Sequence, residues 1–428
     1  MTKKQLLLEH KKLLAELAAL REENLRLRLG ESIPAPRPAT IDDILEESPS
    51  AQSQFSRFPL LRAADERDDA PAPTEPEQKK PAKRPPLTLL QLAEHLRKYA
   101  AAHFGIYAGR ALYASFLGCM AASDFILLRS EDESRSALLL CQAVASALGE
   151  TPSLTTVHPQ WSSAADLLGA PEPASKLYRE TAFLRRLYAA GYEEGVCFAA
   201  LERVTAAPAE GYLSTLLPLL AFSQAENPVF ARSIPLADSA WPGDPFLLQD
   251  GALPYPDNLW LFGSIAAGDP LPGERLRGVA MEFCLPVLRE KSYLVSLAKP
   301  MTLSAGQLRE HFDHAAEVFA LPGEALRCFQ QTARYLADFM DLSLGPAAET
   351  QLMQFSSVCL ACGLRPAEAL DSYFYHKALR RLETLDANAL QLGLPGLRRH
   401  FSETFAARDV PLTMALLDTM ENAAKKPS

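Results

Sequence analysis

Five short, nearly continuous apolar runs constrain this chain more than any other feature. They are DFILLR (124–129), SLTTVHP (153–159), GVCFAALE (195–202), NLWLFGSIA (258–266) and GVAMEFCLP (278–286), and helical periodicity separates them. A strand that is apolar on consecutive positions has both faces buried, and strands alternating with helices form a parallel sheet covered on both sides. Two helical stretches, 87–105 and 111–123, lead into the first run, while from about residue 300 the pattern is helical only. The expected architecture is therefore an α/β domain over 87–299 followed by an all-α region over 300–428. At 428 residues the chain is long enough for both to bury a core.

The first 86 residues obey other rules. Leu6, Leu13, Leu20 and Leu27 recur every seven residues, and reading them as d positions puts Lys3, His10, Leu17 and Asn24 at a. Leucine at d with a single Asn at a favours a parallel two-stranded coiled coil. Glu16 and Glu23 then fall at g and Arg21 and Arg28 at the following e positions, so each Glu can meet an Arg of the partner helix. Residues 1–29 are thus expected to dimerise the chain, with itself or with a different protein, because a lone helix with so narrow a stripe gains little. Residues 30–86 hold eleven of the 33 prolines among Ala, Ser, Asp and Glu, a composition that predicts a disordered linker. Two islands interrupt it, 40–48 and 55–66, each readable as a docking motif or as a chance cluster.

Bulk properties remove several function classes. A net charge of −9, with basic clusters limited to Lys79, Lys80, Lys83 and Arg84 and to Lys425 and Lys426, argues against an extensive nucleic-acid surface. No apolar run reaches the ~18 residues a membrane helix needs, and the opening Thr2-Lys3-Lys4 leads into a charged helix rather than a signal-peptide core. Seven cysteines at mostly wide spacing fit a reducing cytoplasm. Cys359 and Cys362, the close pair, lie in an apolar stretch without a second pair and read as core thiols; His311 and His314 flank Asp313 without a further ligand. No metal and no cofactor is expected, and no G-x-S-x-G or H-E-x-x-H motif occurs.

The order of the segments carries a resemblance. DFILLR precedes the place of a phosphate loop, and VHPQWSSAADLLG (157–169), ETAFLRRLYAA (180–190), GVCFAALERV (195–204), GYLSTLLPLLA (211–221), DNLWLFGSIAAGD (257–269) and HKALRRLETL (376–385) follow in turn. Together they resemble the McrB-type branch of AAA+ P-loop proteins, a family that includes the GTP-using motor of a modification-dependent restriction system. The resemblance implies an AAA+ α/β domain with a lid-like helical region behind it.

Set against that family, the chemistry is altered at four places. A phosphate loop of the form GxxGxGK[ST] wraps phosphates with backbone N–H groups, reaches them with a Lys and binds magnesium with Ser or Thr. Residues 129–136 here read RSEDESRS, so Ser136 remains, Arg135 replaces the Lys, the glycines are absent, and Glu131, Asp132 and Glu133 would repel a polyphosphate. The acidic pair expected at the second motif is Glu202-Arg203; Glu202 retains the capacity to hold a metal, whereas a guanidinium stays protonated and cannot polarise water. Thr205 stands for the family's Asn nearby, and Ala266 for the polar residue of the sensor strand. Arg277 occupies a position that suits an arginine finger, and reads equally as a surface Arg.

These changes predict a catalytically inactive AAA+-like scaffold, dimerised by the zipper and assembling with AAA+ or other partner subunits, with a restriction or phage-defence setting implied by the resemblance alone. The alternative is an atypical NTPase, for ATP or GTP, rebuilt around Arg135, Ser136 and Glu202. A binding module for DNA or modified bases is the third reading, and the missing basic stripe counts against it.

Overall fold

The computed structural model describes residues 56–66, 87–130, 136–222, 232–266, 268–285 and 298–425. The heptad residues Leu6, Leu13, Leu17, Leu20, Asn24 and Leu27 lie outside them, as does Arg135.

Helix α1 (Pro59–Glu66) comes first, then α2 (Leu89–Phe104) and α3 (Arg110–Ala122), which lead into strand β1 (Phe125–Ser130). Helix α4 (Ser136–Ala147) and strand β2 (Ser153–Thr156) follow, then α5 (Ala164–Leu168), the hairpin β3 (Gly169–Glu172) and β4 (Leu177–Glu180), and α6 (Ala182–Ala190). Strand β5 (Cys197–Glu202) precedes α7 (Ala209–Tyr212), α8 (Leu216–Phe222) and a second small hairpin, β6 (Ser233–Pro235) with β7 (Ala252–Pro254). The domain closes with β8 (Leu259–Ile265), α9 (Glu274–Val279) and β9 (Met281–Leu285). The C-terminal region holds α10 (Ala305–Val318), α11 (Gly323–Met340), α12 (Ala348–Ala361), α13 (Pro366–Tyr373), a π turn with a tight helical turn over 374–384, α14 (Ala387–Thr404) and α15 (Pro411–Ala424).

Each of the five apolar runs becomes a strand of one parallel sheet, in the order β2-β5-β8-β1-β9. Strands β1, β8 and β9 are buried at nearly every position, as continuous apolar sequence requires. Alternation divides their side chains. Ile126, Leu128, Phe198, Ala200, Trp260 and Phe262 enter a core with α2, α3 and α4, while Phe125, Leu127, Ala199, Leu201, Leu261 and Ile265 enter a second core with α6, α8 and α9. The architecture is the expected one, a parallel sheet sheathed by helices on both faces with an all-helical C-terminal region.

The C-terminal helices share the first core rather than forming a separate one: Leu352, Phe355, Val358 and Cys359 of α12 pack among the residues of α2 and α3. The approach of α12 to α3 is close enough that a Cβ on Gly118 would stand 2.9 Å from the Phe355 ring and carbonyl. Cys359 and Cys362 are buried in this core.

One part of the linker expectation needs correction. Within 30–86, residues 56–66, which end in α1, dock on the α/β domain, with Phe58 and Leu61 almost wholly buried in the second core. Glu180 accepts from the N–H groups of Leu60 and Leu61, and Arg57 pairs with Asp244 at 2.6 Å. Asp65 accepts from the hydroxyls of Tyr188 and Tyr192 and from Phe246 N–H. Two well-spaced apolar residues and one buried carboxylate order this segment despite the Pro-rich composition around it, because burial and three donors to a charge offset the chain entropy.

Candidate functional site

In an open parallel sheet, loops converge at the carboxyl ends of the strands, so that is where function is sought. Here the edge holds Ser130 at the end of β1, Thr156 at the end of β2, Glu202 at the end of β5 and Ser264 near the end of β8. Alternation along β5 places Glu202 with Phe198 and Ala200, on the face that α4 covers. Ser136 opens α4, so Glu202 and that helix N-terminus belong to the same face and the same end of the sheet. Thr156 lies opposite Glu202 in the register, and its hydroxyl donates to Oε2 at 2.8 Å.

Arg203 breaks the line of the strand. Its φ of +55° is in the left-handed region, which a non-glycine residue occupies only when its surroundings compensate. The compensation is local. Arg203 N–H donates to Ser264 Oγ at 2.9 Å, Val204 N–H donates to the Ser264 carbonyl at 3.0 Å, and Ala206 N–H donates to the Arg203 carbonyl at 2.8 Å. The guanidinium reaches outward, about three-fifths exposed, to Asp269 at 3.4 Å. A cation, paired with a carboxylate, thus stands next to Glu202 in the turn where the resemblance expects a second acid. The following Thr205 is buried, and its hydroxyl has no hydrogen-bond partner among the described residues.

Sequence reasoning named Ala266 as the sensor position, and it lies just past the end of β8, its N–H donating to Asp269 Oδ2 at 2.9 Å. The polar side chain that meets β5 is instead Ser264, two residues earlier. Neither Ser264, Thr156 nor Asp269 was legible as a member of this group, because strand pairing brings the first two to Glu202 and Arg203 and the loop after β8 brings the third.

Arg277 requires a second correction. It is neither a finger reaching a neighbour's nucleotide nor a surface residue, since it is 0% exposed. Its Nε donates to Glu282 Oε1 at 3.0 Å and its Nη2 to the Arg380 carbonyl at 2.6 Å. Arg129 Nη1 bridges Glu282 at 3.3 Å and Glu383 at 2.5 Å, and Arg380 Nη1 meets Glu383 at 3.0 Å. Lys377 donates to the carbonyls of Arg277 and Ala280, and burial lowers its pKa to about 7. A layer of paired charges therefore joins β1, α9 and β9 to the turns over 374–384. Of the residues the sequence proposed for nucleotide binding, Glu202 and the helix opened by Ser136 share one end of the sheet, whereas Arg277 belongs to this buried layer.

The segment 376–385, singled out above only for its likeness to a C-terminal helix, supplies more than packing. His376 is buried, and its Nδ1 accepts from Cys284 N–H at 3.0 Å, which places the ring proton on Nε2. Burial, with the nearby Arg380 charge, lowers its pKa to about 3, so the ring is neutral. The Cys284 thiol is pushed up to about 11 by burial and stays protonated. Among the described residues, no group of three or more His, Cys, Asp or Glu side chains is arranged to hold a metal ion, and no helix is long and apolar enough to cross a membrane.

No family model matches the sequence, and no curated protein matches it. Among solved structures, a candidate ATPase from Cytophaga hutchinsonii aligns over 78% of this chain and 90% of its own, at 10% identity and a TM-score of 0.45. NtrX from Brucella abortus aligns over 77% of this chain and 71% of its own, at 11% identity and a TM-score of 0.26. At these scores neither likeness adds weight to the fold, which stands on its sheet and its helical layers.

Proposed function

We propose that this chain is an AAA+-like scaffold that does not hydrolyse nucleotides and that acts through its surfaces, dimerised by the N-terminal heptads and assembling with AAA+ or other partner subunits. The observation that carries this reading is the end of β5. Where turnover needs a carboxylate beside Glu202 to orient water, Arg203 sits in a left-handed turn clasped by Ser264 and ion-paired to Asp269. Restoring an acid there requires more than one substitution, since Asp269 would then face a like charge. The burial of Arg277 supports the same reading, because an arginine finger has to be exposed to reach a neighbour. A restriction or phage-defence setting rests on the sequence resemblance alone.

The test is direct. Full-length protein is incubated with magnesium and ATP or GTP, alone and with proteins that co-purify from the native cell. The scaffold reading expects no turnover by this chain and an intact AAA+ subunit among the co-purified proteins. Turnover that disappears in Ser136→Ala or Glu202→Ala would establish the rebuilt NTPase instead.

A further inference from the structure

A cleft of about 570 Å³ opens between the N-terminal end of α3 and the helices α13 and α15, with Cys284 of β9 at its base. None of its described lining residues comes from β1, β5 or β8, so it is separate from the Glu202 edge. Its volume is in the range of small-molecule sites. Tyr107, Leu112, Leu364, Tyr375 and Leu412 give it apolar and aromatic walls.

The charges on the walls are unequally satisfied. Glu368 is held by Arg365, through Nη2 at 3.1 Å and the backbone N–H at 2.8 Å. Arg365 also reaches Asp409 at 3.6 Å. Asp371 spends both carboxylate oxygens on the N–H groups of Leu412 and Thr413, at 2.9 and 2.8 Å. The acids of the cleft are thus occupied. Three sets of donors are not. The exposed guanidinium of Arg408 has no partner among the described residues. The Nε2–H of His376, a side chain more than nine-tenths buried, has none either. Gly109 precedes α3 and supplies no side-chain cap, so the N–H groups of Arg110 and Ala111 and the positive end of the helix dipole are at the cleft, Leu112 N–H already donating to the Gly109 carbonyl at 3.2 Å.

An apolar cavity whose unused polar capacity consists of donors recognises an acceptor that carries negative charge. We propose that this cleft binds a small aromatic organic anion, a carboxylate or sulfonate, with its ring between Tyr107, Leu112 and Tyr375 and its acid group among His376 Nε2–H, Arg408 and the start of α3. Neutral His376 suits this role across the physiological range, because it donates one proton without adding a buried charge.

The probe is 1-naphthoate, titrated calorimetrically into the full-length chain, with 1-methylnaphthalene as its uncharged counterpart. One saturable site for naphthoate is expected, with the uncharged ring binding at least about tenfold more weakly, the value of one charge-assisted hydrogen bond. Arg408→Gln, an exposed substitution that leaves folding intact, weakens naphthoate about tenfold, and Leu112→Trp fills the cleft and abolishes binding. Ser136→Ala and Glu202→Ala leave the affinity unchanged, which separates this site from any nucleotide turnover that would overturn the scaffold reading. Absence of a saturable site, or a site indifferent to both Arg408→Gln and Leu112→Trp, overturns the proposal.

Discussion

Replacing Arg277 by Ala separates two roles that sequence position alone leaves equivalent. Arg277 and Glu282 are paired at 3.0 Å with side chains 0% and 1% exposed. Removing one partner of such a pair leaves a charge in a site that water reaches poorly, at a cost of about 3–5 kcal/mol. Glu282 keeps the Arg129 contact at 3.3 Å, which offsets part of the loss, but the Arg380 carbonyl loses the Nη2 donor at 2.6 Å. Taking about 3 kcal/mol as the net effect and roughly 2–4 °C per kcal/mol for a domain of some 200 residues, Tm falls by roughly 6–12 °C. Differential scanning fluorimetry at fixed protein concentration measures this, with chemical denaturation as the check on ΔG. The double variant Arg277→Met/Glu282→Met removes both charges and recovers most of the loss, because paired buried charges are replaceable by apolar groups of similar volume. An arginine finger behaves in the opposite way: its removal leaves Tm alone and lowers a partner's turnover. A Tm within about 2 °C of wild type in Arg277→Ala would refute the assignment of this residue to the buried layer.

Three further outcomes follow from particular contacts. Asp65→Ala strips three donors of a charged acceptor and releases α1 from the domain, so trypsin cleaves after Arg57 and Arg62 far faster while the sheet core keeps its hydrogen-exchange protection. His376, lowered to about 3 in the folded protein from an ordinary value of 6.5, binds fewer protons folded than unfolded between those pH values. Stability therefore falls as pH drops from about 6.5 toward 3, and His376→Gln removes that component from the pH dependence of the unfolding free energy. At Gly169, with φ +94°, a Cβ would lie 2.0 Å from the Arg179 carbonyl oxygen, so Gly169→Ala forces the β3–β4 hairpin apart and lowers Tm, whereas Gly109→Ala, with open space around it, leaves Tm within about 2 °C.

The sheet was legible because its physics is local. A strand buried on both faces must be apolar at successive positions, so FILL (125–128) and LWLF (259–262) announce themselves without knowledge of their neighbours. The docked segment 56–66 was visible only as one of two equal possibilities. Its anchors, Phe58, Leu61 and Asp65, are three residues in a Pro-rich surrounding, and the tyrosines that hold Asp65 are more than a hundred positions away. Arg277 was misread for a related reason. Its partner Glu282 is five residues on, but the burial of both depends on the turns over 374–384 closing above them.

Strands β5 and β9 show why composition and motif reading fail at different places. At β5 the residues that matter, Glu202 and Arg203, are contiguous, so a motif comparison finds them and reads the altered chemistry; only Ser264 and Thr156 needed the register. At β9 the cleft is assembled from α3, α13, α15 and the π turn, with lining residues that run from Tyr107 to Leu412, and no short motif carries it. What distinguishes it is the balance of donors and acceptors in the folded chain, where Asp371, Glu368 and Arg365 satisfy one another or the backbone while His376 Nε2–H and Arg408 stay open to the cleft. An acid group bound in the cleft would give His376 Nε2–H a charge-assisted hydrogen bond, and a ligand that binds only the folded chain stabilises it, so binding of naphthoate should raise Tm in the wild-type protein and have little effect on it in Leu112→Trp.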